Sequence, residues 1–172
     1  MGADKALIEI GGRPLALRVA DAVATVCATV SLVGDPAKYG KLGLPVIADE
    51  FSGHGPLAGI EAALRMTDAE KNLVVACDMP ALNVPVFEEL FSAGGDCAIP
   101  RYEDGRVEPL CAVYDRRLHA TIRAALQAGI RKVTEALRGT ELRYLRAASD
   151  APFLNLNTPA DLHTYTGKDT HG

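Results

Sequence analysis

Residues 72–80, with the sequence NLVVACDMP, decide the fold of this chain. The run at residues 72–77 is mostly apolar and does not alternate with polar residues, a pattern typical of a strand buried on both faces at the centre of a parallel sheet. The run ends at Asp78, just before Pro80. The segment therefore predicts a buried strand that carries a carboxylate to the edge of a sheet.

Predicted strands and helices alternate on both sides of this segment. Further strands are predicted at residues 6–10, 29–33, 44–48, 97–100, 109–114 and 141–146. Helices are predicted between them, one with an apolar stripe from Leu15 through Val19 and Val23. This order predicts a three-layer α/β/α sandwich with a mainly parallel sheet. We expect one domain over residues 1–166 and a disordered tail at 167–172.

Composition narrows the class of protein. The chain has 172 residues, of which 48% are hydrophobic and only 5% aromatic, so its core must be aliphatic. The formal net charge is −4 and no long basic run occurs, which argues against broad binding of nucleic acid. A small anionic ligand remains possible, because one lysine, a metal ion and backbone N–H groups are enough to hold it.

The cysteines and the hydropathy pattern indicate a protein of a reducing compartment. None of the four cysteines forms a CxxC pair, so we expect free thiols, with disulfides or a zinc site as alternatives. The sequence shows no signal peptide and no apolar run long enough to cross a bilayer. We therefore expect a cytoplasmic protein that does not bind membranes.

The acids that follow two predicted strands are candidate ligand-binding residues. In open α/β sheets, ligands bind beyond the carboxyl ends of the strands, so Asp49 and Asp78 should open onto the same edge. A carboxylate at the end of a buried strand needs a charged partner, and Mg²⁺ with substrate phosphates is one such partner. The alternative is that each aspartate only caps a turn.

Three other features have a chemical and a structural interpretation. The glycine-rich loop at residues 53–59, which includes Gly55, has two interpretations. Its backbone approaches a ligand closely, or it is an ordinary loop that leads into a helix. Lys5 is a phosphate ligand or a surface charge. Arg106 and Glu108 bind a polar substrate or form a surface ion pair.

Five short motifs, taken in order, resemble those of the molybdenum cofactor guanylyltransferases. They are DKAL at 4–7 with GRPL at 12–15, Asp49 with GPLAGI at 55–60, CDMP at 77–80, DGR at 104–106 with EPL at 108–110, and NLNTP at 155–159. Members of this family are Rossmann-like α/β nucleotidyltransferases that join GMP from GTP to the phosphate of molybdopterin. The resemblance spans nearly the whole chain.

The resemblance implies a role for each motif. Lys5 would neutralise the GTP phosphates, Asp49 and Gly55 would lie in the nucleotide site, and Asp78 would be the catalytic ligand of Mg²⁺. The molybdopterin side would be formed by Arg106, Glu108, Asn155 and Asn157. Other cofactor-biosynthesis proteins and recipient molybdoenzymes would be its protein partners. The related cytidylyltransferases show Pro-Lys and Gly-Asp-Gln-Pro where this chain has DK at 4–5 and CDMP, which favours GTP over CTP.

One departure from the family pattern concerns the start of the chain. The family opens with a strand and a loop of the pattern LAGGxSxRMG, of which only residues 1–2 match. We expect that strand and loop to be missing through a gene start assigned too late, a shortened recombinant chain, or loss of the activity, and we favour the first. Two other functions stay open: a nucleotidyltransferase that uses CTP or a sugar phosphate, and a non-catalytic molybdopterin-binding module.

Overall fold

A computed structural model of the chain describes residues 4–51, 53–147 and 153. After a 3₁₀ turn at Lys5–Leu7, the first half contains β1 (Glu9–Ile10), β2 (Arg13–Pro14), α1 (Leu15–Ala24), β3 (Leu32–Val33), α2 (Pro36–Tyr39), β4 (Val46–Ile47) and α3 (Pro56–Arg65). The second half contains β5 (Lys71–Val75), α4 (Val84–Ser92), β6 (Cys97–Arg101), β7 (Cys111–Asp115), α5 (Leu118–Gln127), α6 (Val133–Ala136) and β8 (Leu142–Arg146).

The predicted α/β class is confirmed, but the strand pairing is mixed instead of mainly parallel. The principal sheet has the order β5-β7-β6-β8, in which β7 runs antiparallel to both neighbours and β8 runs parallel to β6. The connection from β6 to β7 is residues 102–110, whereas a parallel neighbour needs a crossover of about a dozen residues or more. The short connection therefore makes β7 antiparallel.

Both faces of the principal sheet are covered, which gives the three predicted layers. On β6, Cys97 and Ile99 point into a core formed with α3, α5 and α6, whereas Ala98 points into a second core formed with α1 and α4. On β7, Tyr114 belongs to the first core and Val113 to the second. Alternate side chains of one strand thus enter opposite layers, as the two-residue period of a strand requires.

The strand predicted at residues 6–10 is wrong in its first half. The Asp4 carboxylate accepts a hydrogen bond from the N–H of Ala6 at 3.2 Å, which caps a 3₁₀ turn in place of an extended segment. Only β1 is extended there, and it pairs antiparallel with β2. This capped turn fixes the position of Lys5.

A groove of about 860 Å³ separates the second sheet, β3 paired parallel with β4, from the principal sheet. Both β3 and β5 line it, and within the described ranges neither strand pairs with the other. Residues of β5 are consequently half-buried, where the sequence predicts a strand buried at the centre of a parallel sheet. The opening strand of the family pattern, which the sequence analysis expects to be missing, stays a prediction.

Two general properties concern the cysteines and the helices. All four cysteines are free thiols, and Cys97 and Cys111 are buried. Among the helices of the described residues, none has the length and hydrophobicity that crossing a bilayer requires.

A buried carboxylate closes the end of β7. Asp115 is fully buried and accepts hydrogen bonds from Lys71 Nζ at 3.1 Å and from Arg117 Nη2 at 2.9 Å. The bond from Arg117 is the main cause that lowers the pKa of this carboxyl well below its usual range. A lowered folded-state pKa stabilises the fold above the unfolded-state value, and this contribution is lost as the pH falls through the folded-state pKa.

We therefore expect Asp115→Asn to lower the free energy of unfolding at pH 7 by about 2–3 kcal/mol, because two cations lose their buried partner. The deficit should shrink below about pH 4, where the parent begins to lose the same contribution. Urea unfolding at pH 7 and pH 3 measures both values. Asp68→Asn, at a fully exposed carboxylate 3.6 Å from Arg116, is the control. An equal deficit at both pH values contradicts the assignment.

Candidate functional site

Lys5 and Asp78 meet beyond the end of β5, although 73 positions separate them in the sequence. Lys5 Nζ lies 3.2 Å from Asp78 Oδ2, and the two side chains are 34% and 20% exposed. The turn that follows β5 is anchored by Met79, whose side chain is buried in the second core. A half-buried ion pair is therefore held at a sheet edge, where a ligand can reach it.

The short helix α2, which follows β3, joins this pair through Asp4. Tyr39 donates its hydroxyl hydrogen to Asp4 Oδ2 at 2.7 Å, and Lys38 Nζ lies 3.6 Å from the same oxygen. Burial and the bond to Asp4 raise the pKa of Tyr39 to about 12, so its hydroxyl stays protonated and donates. The sequence analysis missed Tyr39; the Asp-Pro pair at 35–36, which starts α2, marks its loop.

Cys77 lies beside this group but is not prepared for nucleophilic attack. Burial is the main cause that raises the pKa of its thiol to about 11, and the negative charges of Asp78 and Asp4 add to it. A thiol with this pKa is protonated at neutral pH, whereas nucleophilic cysteines react as thiolates. The chemistry of the site is therefore that of its carboxylates and cations.

Glu108, which comes just before β7, lies within electrostatic reach of Asp78. Burial raises the pKa of Glu108, the charge of Asp78 raises it further, and Arg106 opposes the shift. Two carboxyl groups, one of which raises the pKa of the other, thus occur at one sheet edge. The sequence analysis assigned them to different substrates, and the structure brings them within electrostatic range of each other.

Arg106 lies on the turn between β6 and β7. Its Nε donates to Asp104 Oδ2 at 2.6 Å, and its guanidinium lies 4.6 Å from the ring centroid of Tyr102. Arg106 and Glu108 line a cavity of about 580 Å³, which is also lined by Arg101, Tyr102, Gly105, Val107, Lys132, Thr134 and Tyr144. This cavity is rich in cations and aromatic rings, although only Arg106 and Glu108 had been singled out from the sequence.

Asp49 and Gly55 lie on the loop between β4 and α3. Asp49 Oδ1 accepts a hydrogen bond from the N–H of Phe51 at 2.6 Å, which is the turn-capping role left open by the sequence. Within the described residues Asp49 makes no ion pair with Lys5. Gly55 precedes the first turn of α3 with φ of 70° and ψ of −156°, a conformation that only glycine adopts readily. The structure thus joins Asp49 to its own loop and not to the Lys5–Asp78 pair.

The predicted residues Asn155 and Asn157 lie outside the described residues. Phe153, which precedes them, is buried and packs edge-to-face against Tyr102 with ring centroids 5.9 Å apart. Phe153 therefore lies next to the turn that carries Arg106.

The residues at this edge fit a phosphate-bound Mg²⁺ better than a metal held by protein alone. In the described parts of the chain, no group of three or more His, Cys, Asp or Glu side chains could hold a metal ion. Mg²⁺ is usually bound through one or two carboxylates, with water and substrate phosphates as the other ligands. Asp78 supplies one hard oxygen donor of this kind beyond the end of β5.

Comparison with known sequences gives a consistent family. Residues 1–142 match the family described as the MobA-like NTP transferase domain. A probable molybdenum cofactor guanylyltransferase of Pelotomaculum thermopropionicum is 38% identical over 94% of this chain and 83% of that protein. A molybdenum cofactor guanylyltransferase of Rhodopseudomonas palustris is 39% identical with the same two coverages.

Solved structures agree with the sequence relatives. The molybdopterin-guanine dinucleotide biosynthesis protein A of Archaeoglobus fulgidus matches with a TM-score of 0.82 at 28% identity, over 99% of this chain and 93% of that one. The 2-C-methyl-D-erythritol 4-phosphate cytidylyltransferase of Thermus thermophilus matches with a TM-score of 0.75 at 18% identity, over 96% of this chain and 93% of that one. The second match shows a shared fold.

The pKa of Glu108 reports whether the two carboxylates face each other. We expect Asp78→Asn to lower it, because the substitution removes a negative charge that disfavours ionisation of Glu108. NMR titration of the Glu108 side-chain carboxyl measures the shift. Glu103→Gln, at an exposed carboxylate, should leave the titration unchanged. An unchanged Glu108 pKa in Asp78→Asn would place the two carboxylates apart.

The loop conformation is tested by two glycines that differ mainly in φ. Gly55→Ala should destabilise the fold by about 1–3 kcal/mol, because alanine is strained at φ of 70° even with open space around its Cβ. Gly40 has equally open surroundings and φ of −56°, so Gly40→Ala should not destabilise. Thermal unfolding of both variants gives the comparison, and similar losses of stability would count against the strained loop.

Proposed function

Because the chain belongs to the molybdenum cofactor guanylyltransferases, within the MobA-like NTP transferases, we propose that it transfers GMP from GTP to molybdopterin and forms the guanine dinucleotide cofactor. The observation that carries the proposal is the Lys5–Asp78 pair, 3.2 Å apart at the edge of an α/β sheet, in a chain with these relatives. The enzyme class is that of the family, the nucleotidyltransferases.

The proposed reaction is a single in-line displacement. An oxygen of the molybdopterin phosphate attacks the α-phosphorus of GTP, the bond from that phosphorus to the bridging oxygen of the β-phosphate breaks, and pyrophosphate leaves with the electron pair. No covalent enzyme intermediate is needed. The chain's task is to hold two anionic substrates in line and to compensate their charge.

Lys5 and Asp78 have complementary tasks in this proposal. The ammonium of Lys5, held by the capped turn of Asp4, neutralises charge on the triphosphate. A Mg²⁺ bound by Asp78 would supply Lewis-acid compensation of the same phosphate charge. We further propose that Asp49 and Gly55 contact the nucleotide, with free N–H groups at the start of α3 as donors.

The molybdopterin side is proposed at the turn between β6 and β7. Arg106 and Glu108 line its cavity, and the cationic lining suits a phosphate-bearing pterin. The nearness of Glu108 to Asp78 supports this arrangement, because the two substrates must meet where the phosphoryl bond is exchanged. Asn155 and Asn157 are proposed for the same side from the family resemblance, as are cytoplasmic location and transfer of product to recipient molybdoenzymes.

Asp78→Ala should lower guanylyl transfer by about 100-fold or more, because charge compensation on the phosphates is lost. Pyrophosphate release and mass spectrometry of the dinucleotide product measure the rate, with molybdopterin, Mg²⁺ and one nucleotide of GTP, CTP, ATP or UTP. Asp68→Ala, at a fully exposed side chain, is the matched control.

Three outcomes contradict the proposal in different ways. Near-normal Mg²⁺-dependent transfer by Asp78→Ala would remove the metal assignment. Equal turnover of CTP would remove the specificity for guanine. Molybdopterin binding by the parent chain without any affinity for GTP would support a non-catalytic binding module instead.

A further inference from the structure

Glu61 is a fully buried carboxylate on α3 that no motif marks. Its Oε1 lies 2.6 Å from Arg123 Nη1 and 3.0 Å from His119 Nε2, both on α5. A carboxylate can only accept, so Nε2 of His119 is the donor in this hydrogen bond. Removing a charge from water is destabilising unless partners compensate it, so the position of Glu61 needs an explanation beyond helix packing.

The two arginines around Glu61 also hold the loop that carries Asp49. Arg65 Nη2 donates to the carbonyl oxygen of Ala48 at 2.9 Å. Glu50 forms ion pairs with both arginines: Arg65 Nη1 lies 3.3 Å from Glu50 Oε1, and Arg123 Nη1 lies 3.2 Å from Glu50 Oε2. Two arginines thus bracket the backbone on either side of Asp49.

The aromatic neighbour of Asp49 joins the same cluster. The guanidinium carbon of Arg123 lies 5.4 Å from the ring centroid of Phe51, within the range of a cation–π contact. Phe51 also donates its N–H to Asp49 Oδ1, so the ring and the carboxylate are held by one turn. His54, in the glycine loop, packs edge-to-face on Phe51 at 6.0 Å.

The second carboxylate oxygen of Glu61 forms an ion pair but no hydrogen bond in the described residues. Glu61 Oε2 and Arg65 Nε are both buried without a hydrogen-bond partner in the described residues, and they lie 3.8 Å apart. Their attraction is therefore electrostatic and depends on the negative charge of Glu61. A glutamine of the same shape keeps one acceptor and removes that charge.

We propose that Glu61 is a positioning residue for nucleotide binding, which orients Arg65 and Arg123 so that they hold Asp49 and the start of the glycine loop in one conformation. The inference rests on the proposed function for the role of Asp49. The inference goes beyond the proposed function because it assigns nucleotide affinity to a buried helix residue that does not contact the ligand.

Two measurements on the whole chain test the inference. Hydrogen exchange without ligand should be faster at the amides of residues 49–51 in Glu61→Gln, whereas the amides of β6 and β8 should keep their protection. Calorimetric titration with Mg²⁺ and GTP should give a Kd raised roughly 10- to 100-fold, since the loop no longer presents Asp49 in the binding conformation. Glu88→Gln, at an exposed glutamate on α4, should match the parent in both.

A second pair of variants keeps the inference testable if Glu61→Gln does not fold. Arg123→Lys keeps the positive charge but loses the planar group that meets Phe51, Glu50 and Glu61 together, so it should change loop exchange and Kd in the same direction. Arg116→Lys, at an exposed arginine on the turn before α5, is its control and should change neither.

The results separate failure of the inference from failure of the proposed function. A lowered unfolding temperature in Glu61→Gln and Arg123→Lys, with loop exchange and Kd equal to the parent, would show a merely structural cluster and overturn the inference. If the parent chain does not bind GTP, the proposed function fails. In that case unchanged exchange at residues 49–51 overturns the positioning role as well, and faster exchange confined to them supports it.

Discussion

The principal sheet is covered on both faces, and the placement of every polar group in the site follows from this constraint. Neighbouring side chains on β6 and β7 enter opposite apolar cores, so charged groups have little room along these two strands. The polar residues of the candidate site therefore lie at the ends and connections of strands. Asp78, Glu108 and Asp115 all lie there, and each has its pKa set, or sets that of a neighbour, through contacts at a strand end.

Electrostatic complementarity then joins segments that are far apart in the chain. Asp4 caps the turn that carries Lys5 and also accepts a hydrogen bond from Tyr39 at the end of α2. Lys5 in turn meets Asp78 after β5. On α3, the buried Glu61 forms ion pairs with two arginines that hold the loop after β4. The turn that carries Lys5 and the loop after β4 are thus both held by charges supplied from other elements.

Local pattern predicted the helices well and the strand partners poorly. The apolar stripe that begins at Leu15 predicted α1, because helical periodicity is a property of neighbouring residues. The segment at residues 6–10 was apolar enough for a strand, but the Asp4 cap made half of it helical. The mixed pairing of β7 follows from a loop length that the sequence analysis did not weigh.

The sequence by itself determined the α/β class, the order of elements and the family, since short motifs such as CDMP at 77–80 carry that information locally. It also identified Lys5 and Asp78 one by one. Only the tertiary structure decided that these two side chains lie 3.2 Å apart and that the charge of Asp78 raises the pKa of Glu108. It also decided that Glu61 lies at the centre of an ionic cluster. The reason is physical: contact energies between charges depend on distance and burial, and for residues far apart in the chain both are set by folding.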